Sequence, residues 1–414
     1  MTVEIRAITE DELPAFNATE SMTFGELPSA EGLAESRRVY EPGRAQAAFV
    51  DGELVGTTNA YSFAMTMPGG VDPGVRVAGV SDVTVAPTHR RRGLLRSLMQ
   101  AQLDDVLARG EPMAVLNASE AAIYRRFGYG LAQSYQSWSI DTHRTAFREP
   151  VGDDIRLRRM DRGAARPILP AIYDGWRRQQ PAAMTHSNVW WDLVLGPRDV
   201  WKGGGALHVV VAEPGEVAGR AHDGGYAIYL IDHTAPSGDQ VVHARNIVAV
   251  DDLVRARLWR YLMEIDLAGT VVCEDVALDD PLRWWLTDTR RVRTTKVRDY
   301  LFVRILDVPA VLTARRYDHD GTIVLDVVDG FRPAAATTSG RWRLTQRDGE
   351  VTCEPTTDPA DLRLDVAELG TLSLGGFTAR ELARTQLIDG RPDAVRTADE
   401  LFGWPVAPHC ITRF

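Results

Sequence analysis

Residues Val83 to Arg96 read VTVAPTHRRRGLLR, an alternating apolar strand that breaks into a Thr-His-Arg-Arg-Arg-Gly turn and then begins an amphipathic helix. A strand feeding a short loop and a helix leaves the first N–H groups of that helix without main-chain partners. The helix dipole points its positive end at the same spot, so the pattern predicts a cradle for an anion such as a diphosphate. Arg90, Arg91 and Arg92 add charge around it, and Gly93 removes the side chain that would hold a phosphate off the backbone. The bland alternative, a solvated helix start, puts three basic residues at the end of a helix that disfavours them. Neither the Gly-Lys-Ser/Thr of a P-loop nor a G-x-G-x-x-G is present at this turn, which removes both of those nucleotide folds.

The spacing resembles the coenzyme A signature of the GCN5-related N-acetyltransferases: Arg or Gln, two residues, Gly, one residue, then Gly or Ala. Arg90 and Gly93 are in register, and Leu95 stands at the last small position. About twenty residues on, Pro112 to Ser119 (PMAVLNAS) reads as a second strand and Glu120 to Phe127 (EAAIYRRF) as a short helix before the Gly128-Tyr129-Gly130 turn. In that fold the two strands are parallel neighbours that splay apart. The resemblance then implies that backbone near Val83 and Val85 faces the pantetheine arm, with Ser119 and Glu120 on the other side and Tyr124 beside the sulfur. A tyrosine hydroxyl with an ordinary pKa of about 10 is protonated at neutral pH and can hand a proton to a leaving thiolate. The same tyrosine on a short helix also suits a place at the edge of a core.

With 414 residues the chain is long enough for two or three domains, and 44% apolar with 25% charged residues excludes a disordered chain. Fifty-seven acidic against 47 basic residues give a net charge of −10, which disfavours a nucleic-acid partner and suits a cationic amine substrate. No run of about 18 apolar residues and no signal-like start is seen, so no membrane span is expected. Three cysteines far apart, Cys273, Cys353 and Cys410, fit reduced thiols and a cytoplasmic protein. No H-E-x-x-H or C-x-x-C occurs, so no metal is called for.

The order of elements recurs. Val3 to Phe16 reads as strand, polar cap and helix, and Asp154 onward with Ile168 to Trp176 reads the same way. Val248 to Val250, a helix over Leu258 to Leu267 and a strand over Thr270 to Val276 echo the elements flanking the basic loop. Between them stands Asp251-Asp252-Leu253-Val254-Arg255-Ala256-Arg257, with carboxylates at the helix start and no glycine. Carboxylates there satisfy the dipole internally and repel a diphosphate, so this second copy is expected to be silent. From about Tyr317 the pattern becomes short strands (Thr322 to Val328, Gly340 to Arg347, Glu350 to Pro355, Asp361 to Leu364), a helical turn at Val366 to Leu369 and helices at Ala379 to Leu387 and Asp393 to Phe402. A mainly antiparallel sheet with covering helices suits it.

As a whole the chain resembles the actinobacterial enhanced intracellular survival (Eis) family of acetyltransferases. The likeness is carried by VAPTHRRRGLLR (Val85 to Arg96), ASEAAIYRRFGYG (Ala118 to Gly130), LTDTRRVRTTKVRDYLFVRILDVPAVLTAR (Leu286 to Arg315) and the terminal aromatic Phe414. It implies an α/β (α+β) architecture: a catalytic acetyltransferase domain over 1–150, a degenerate acetyltransferase-like domain over 151–300 and a domain like sterol carrier proteins over 301–414. It also implies a homohexamer that moves acetyl groups from acetyl-CoA to amines of aminoglycosides and other polycations. Carried over residue by residue, acetyl-CoA contacts fall on Val83, Thr84, Val85, Arg90, Arg91, Arg92, Gly93, Leu94, Leu95, Arg96, Ser119 and Glu120. The proton donor falls on Tyr124 and the proton acceptor on the main-chain carboxylate of Phe414. Glu26 falls on an acidic acceptor pocket, where Arg413 departs from the pattern by replacing an acidic residue. A protein-lysine or polyamine acetyltransferase, and a lipid-binding module with a vestigial coenzyme A site, are the alternatives.

Overall fold

A computed structural model describes residues 2–70, 72–196, 206–217, 219–234 and 239–414. Its contacts divide the chain into two compact units. The first takes residues 1–133, 300–404 and 412–414, and the second takes 134–299 and 405–411.

In the first unit the chain lays down β1 (Val3–Ala7), α1 (Leu13–Phe24), α2 (Ala30–Val39), β2 (Gln46–Val50), β3 (Glu53–Met65), β4 (Val75–Val85), α3 (Leu94–Ala108), β5 (Met113–Asn117) and α4 (Ala121–Tyr124). The sheet runs β1-β2-β3-β4-β5, and Leu301–Ile305 pairs antiparallel with the far edge of β5. Only β4 and β5 are parallel among the first five strands. Thr9 and Glu12 form a capping box ahead of α1, which fixes where the chain turns from strand to helix. Leu94, Leu98, Met99, Leu103 and Val106 line one side of α3 and are buried. Each contributes about 1.5–3 kcal/mol relative to an exposed position. Gln102 on the same face donates to the carbonyl of Asn59 at 2.8 Å, so the helix is also pinned to β3 by a polar bond.

The C-terminal segment of this unit builds a five-stranded sheet. Gly321–Val328 is central, antiparallel to Gly340–Arg347 and parallel to Leu362–Asp365. Glu350–Pro355 and Ile388–Gly390 are the edges. The expected helix over Ala379 to Leu387 ends at Arg384, because residues 388–390 are drawn off as the edge strand against Leu362–Leu364. The helix Val366–Leu372 lies backbone to backbone on the turn after α4: a Cβ on Gly130 would stand 1.8 Å from the carbonyl oxygen of Ala367. Arg304 and Asp329, both fully buried, pair at 2.6 Å beside it.

The second unit repeats the plan. Its sheet runs from residues 134–141 through Ala268–Val276, Gln240–Ala249, Gly225–Asp232 and His208–Ala212 to Leu157–Met160. The helix Asp252–Met263 packs Val254, Leu258, Trp259 and Leu262 into a core with Val210, Ala227, Val242 and Val271. This helix stops at Met263 rather than reaching Leu267, which sits in the left-handed region at φ 66°. No helix among the described residues is long and apolar enough to cross a membrane.

Candidate active site

The cleft of the first unit is made by a backbone irregularity. Thr57 pairs with Thr84, but the next pair along β3 is Asn59 with Ser81, so β4 carries one extra residue. Asp82 absorbs it at φ 55°, and the Thr57 hydroxyl donates to the Asp82 carbonyl at 2.6 Å. Pairing between β4 and β5 ends at Val80 and Leu116, while β4 runs on to Val85. Residues Val83 to Val85 therefore present an edge that β5 does not pair, beside the loop that enters α3. That is the splay expected from sequence.

Gly93 caps α3 at φ 81°, no side chain caps the helix, and its first turn holds no acidic residue. The first N–H groups of α3 are thus left to an external acceptor. A Cβ on Gly93 would meet nothing within 4 Å. The left-handed backbone itself favours glycine here, and the open space leaves the backbone approachable from outside. Arg91 shares the left-handed conformation at φ 63°. Arg90, Arg91 and Arg92 are all exposed around this opening, and Arg92 donates to the carbonyl of Thr88 at 3.3 Å. Leu94 and Leu95 turn into the core, so only their main-chain groups are available to a ligand. Arg96 stands 4.8 Å over the ring of Phe331, a cation–π contact with the C-terminal segment.

Across the splay, Ser119 and Glu120 are exposed at the end of β5. Tyr124 at the end of α4 is only 9% exposed and belongs to the core cluster that also contains Val80, Met99 and Leu103. Burial, reinforced by the charge of Glu120, pushes its hydroxyl up to about 12, so it carries its proton at any physiological pH. Its ring meets Tyr129 edge to face at 5.9 Å.

The chain end reaches the same unit. The ring of Phe414 lies 5.5 Å from that of Phe63 on β3. A Cβ on Gly79 of β4 would stand 3.1 Å from Cδ2 of Phe414 and 2.6 Å from Cε2 of Phe63, so glycine makes the seat for both rings. Thr412 is buried, and its carbonyl accepts from the Tyr300 hydroxyl at 2.9 Å. The Tyr300 carbonyl in turn accepts from Asn117 at 3.0 Å, tying the tail to the end of β5. Arg413 is exposed.

Three carboxylates neighbour one another on the α1 side. Glu26 is exposed just past the helix, its N–H bonded to the carbonyl of Ser21 at 2.9 Å. Burial and then the charge of Asp82 raise Glu20 to about 7, with Glu26 adding to the effect. Asp82 is raised by burial and accepts from Asn59 at 3.2 Å and Ser81 at 3.0 Å. Sequence reasoning named Glu26 and missed Glu20, Asp82, Gly79, Phe63 and Tyr300. Asp82 was legible only as a polar interruption in an apolar strand, and the others carry no local signal.

The second unit keeps the scaffold and changes the lining. Ile228 pairs with Asn246 and Tyr229 with Ala244, so Gln240–Ala249 also carries an extra residue. Its parallel pairing with Ala268–Val276 ends at Ala244 and Cys273. The helix start that would face a diphosphate is closed by Asp251, whose carboxylate accepts from Leu253 and Val254 N–H at 2.8 and 3.2 Å. The Arg255 guanidinium donates to the carbonyls of Ile247 and Ala249, each at 3.4 Å, and pairs with buried Asp280 at 3.3 Å. The strand edge left open at Val83 to Val85 is here occupied by the chain's own arginine.

A bulged and splayed parallel pair feeding an uncapped helix start defines an acetyltransferase of the GCN5-related superfamily. Models of the acetyltransferase (GNAT) domain match residues 4–132 and 182–305, and a sterol carrier protein domain matches 308–411. The chain is 38% identical to an N-acetyltransferase of Streptomyces coelicolor described as uncharacterized, over 99% of this chain and 98% of the relative. It is 34% identical to N-acetyltransferase Eis of Mycobacterium tuberculosis over 92% of each. The crystal structure of Eis1 from Mycobacterium abscessus superposes with a TM-score of 0.88 at 31% identity, covering 99% of this chain and 100% of that one. The chain belongs to the Eis family of N-acetyltransferases.

Proposed function

We propose that this N-acetyltransferase modifies amines of polycationic acceptors, aminoglycosides among them, with the Phe414 carboxylate as proton acceptor and Tyr124 as proton donor. The observation that carries the reading is the seating of the chain end: Phe414 is held on Phe63 of β3 and Gly79 of β4, the strand whose far end lines the cleft. Acetyl-CoA, the donor used by this domain family, supplies the activated acetyl group when bound. Main-chain groups of Val83, Thr84 and Val85, the loop Arg90 to Gly93, the start of α3 at Leu94 to Arg96, and Ser119 with Glu120 would hold it. The open edge of β4 and the uncapped helix fit such a molecule.

An acceptor amine arrives as an ammonium ion and must lose a proton before it can attack a thioester. The terminal carboxylate takes that proton and offsets the cation, and Tyr124 keeps a proton for the departing thiol. No covalent enzyme intermediate is needed, because no Cys or Ser lies in a nucleophile motif of the sequence. The carboxylates of Glu20, Glu26 and Asp82 favour an acceptor with more than one positive charge. Assembly as a homohexamer in the cytoplasm belongs to the same reading and is checked by sedimentation.

Thiol release from acetyl-CoA tests the reading against aminoglycosides, simple polyamines and lysine peptides. Release with aminoglycosides is the expected result; release with peptides alone moves the acceptor class, and bound lipid without turnover points to a carrier. A protein extended by one residue after Phe414 is expected to lose turnover and keep acetyl-CoA binding, and full activity in it removes Phe414 from the mechanism.

A further inference from the structure

The last ten residues, PVAPHCITRF, form no helix or strand, yet Pro408, His409, Cys410 and Thr412 are buried. Irregular backbone can be buried only where other groups satisfy its N–H and C=O. The second unit does so for residues 405–411. The Ala407 N–H donates to Asp279 at 2.8 Å, its carbonyl accepts from Gln180 at 2.7 Å, and the His409 N–H donates to the carbonyl of Pro181 at 2.8 Å. The His409 ring stands edge-on to Trp176 at 6.3 Å, and Ile411 packs against the core that contains Trp176.

These partners come from one place in the fold. Asp279 lies just after the strand Ala268–Val276, where the first copy has Ser119 and Glu120 after β5. A cavity of about 330 Å³ opens there, lined by Trp176, Gln180, Ala249, Asp252 and Asp279, with Val406 of the tail in its wall. Ala249 ends the splayed strand and Asp252 begins the helix, so the cavity is the second copy's counterpart of the cofactor cleft.

We propose that this cleft has been converted from a cofactor site into a holder for residues 405–411 of the same chain, with Gln180 and Asp279 fastening that segment at Ala407.

The test uses the full chain with Gln180→Ala and Asp279→Ala combined, beside Asp279→Asn, whose side-chain oxygen still accepts from Ala407. Hydrogen exchange of the Ala407 and His409 amides reads the hold. The double variant is expected to exchange them about tenfold faster, while Asp279→Asn stays near the parent. Unchanged exchange in the double variant overturns the holder. Gln180→Ala alone removes one bond to Ala407 and is expected to raise the exchange rate by a smaller factor, so it reads the hold even if the double variant folds poorly, and unchanged exchange in it removes Gln180 from the holder.

Discussion

The two acetyltransferase copies stop their parallel pairing at corresponding points, Val80 with Leu116 in one and Ala244 with Cys273 in the other, and in both the leading strand carries an extra residue nearby. Their helix starts are opposite in charge. The first copy enters its helix through Arg90 to Gly93 with no cap, whereas the second enters through Asp251, which caps the helix itself, and fills its open edge with Arg255. The scaffold of extra residue and splayed parallel pair is therefore separable from the few side chains that leave the helix start open or close it. Closing a helix start takes one carboxylate, since it satisfies two N–H groups and cancels the positive end of the dipole.

Tyr124→Phe in the first copy should lower kcat by about 10²–10⁴-fold with acetyl-CoA affinity little changed, measured by steady-state kinetics and calorimetry. A modest loss would shift the proton donor elsewhere and weaken the contrast at its chemical end. Removing both Arg91 and Arg92 by substitution with alanine should weaken acetyl-CoA binding by about 10- to 100-fold in titration, through lost charge-assisted contacts. The parent should bind one acetyl-CoA per chain, and a second equivalent would sink the idea that the second copy is silent.

Asp251→Ala should cost about 1 kcal/mol of stability, the ordinary value of an N-cap, with turnover retained. Denaturant unfolding followed through Trp259 in the adjoining core reads it. The smallest effect is a pH dependence. Because the fold raises the Glu20 carboxyl from its ordinary 4.5 to about 7, the folded state favours the neutral acid and loses stability as pH rises through that window. Glu20→Gln should therefore leave thermal unfolding at pH 4.5 unchanged and raise the midpoint by about 1–3 °C at pH 8. Equal midpoints at both pH values would show that Glu20 is well solvated.

The strand, basic turn and helix of the first copy were legible because all three signals are local: alternation over Val83 to Val85, glycine at the turn and apolar spacing along α3. The acidic helix start at Asp251 was legible for the same reason, and the structure shows its carboxylate accepting from the N–H groups of Leu253 and Val254. The plug by Arg255 was not, since it depends on a side chain reaching carbonyls of the preceding strand. Nor was the seat of Phe414, because Gly79 and Phe63 come together only when β3 and β4 pair. In the C-terminal segment the strands Gly340–Arg347 and Glu350–Pro355 match the sequence pattern, but the edge strand Ile388–Gly390 is too short to announce itself.

By itself the sequence determined the order of elements, the basic glycine-containing turn at Arg90 to Gly93, and the carboxylate that closes the corresponding helix start at Asp251, since each depends on neighbours in the chain. Tertiary structure alone decided that Gly130 must be glycine for the helix Val366–Leu372 to approach, and that the carboxyl group of Glu20 is raised by burial and by Asp82. It also decided that residues 405–411 are held in the second unit while Thr412 to Phe414 belong to the first. Those outcomes depend on groups far apart in sequence, whose packing and electrostatics exist only once the sheets have formed.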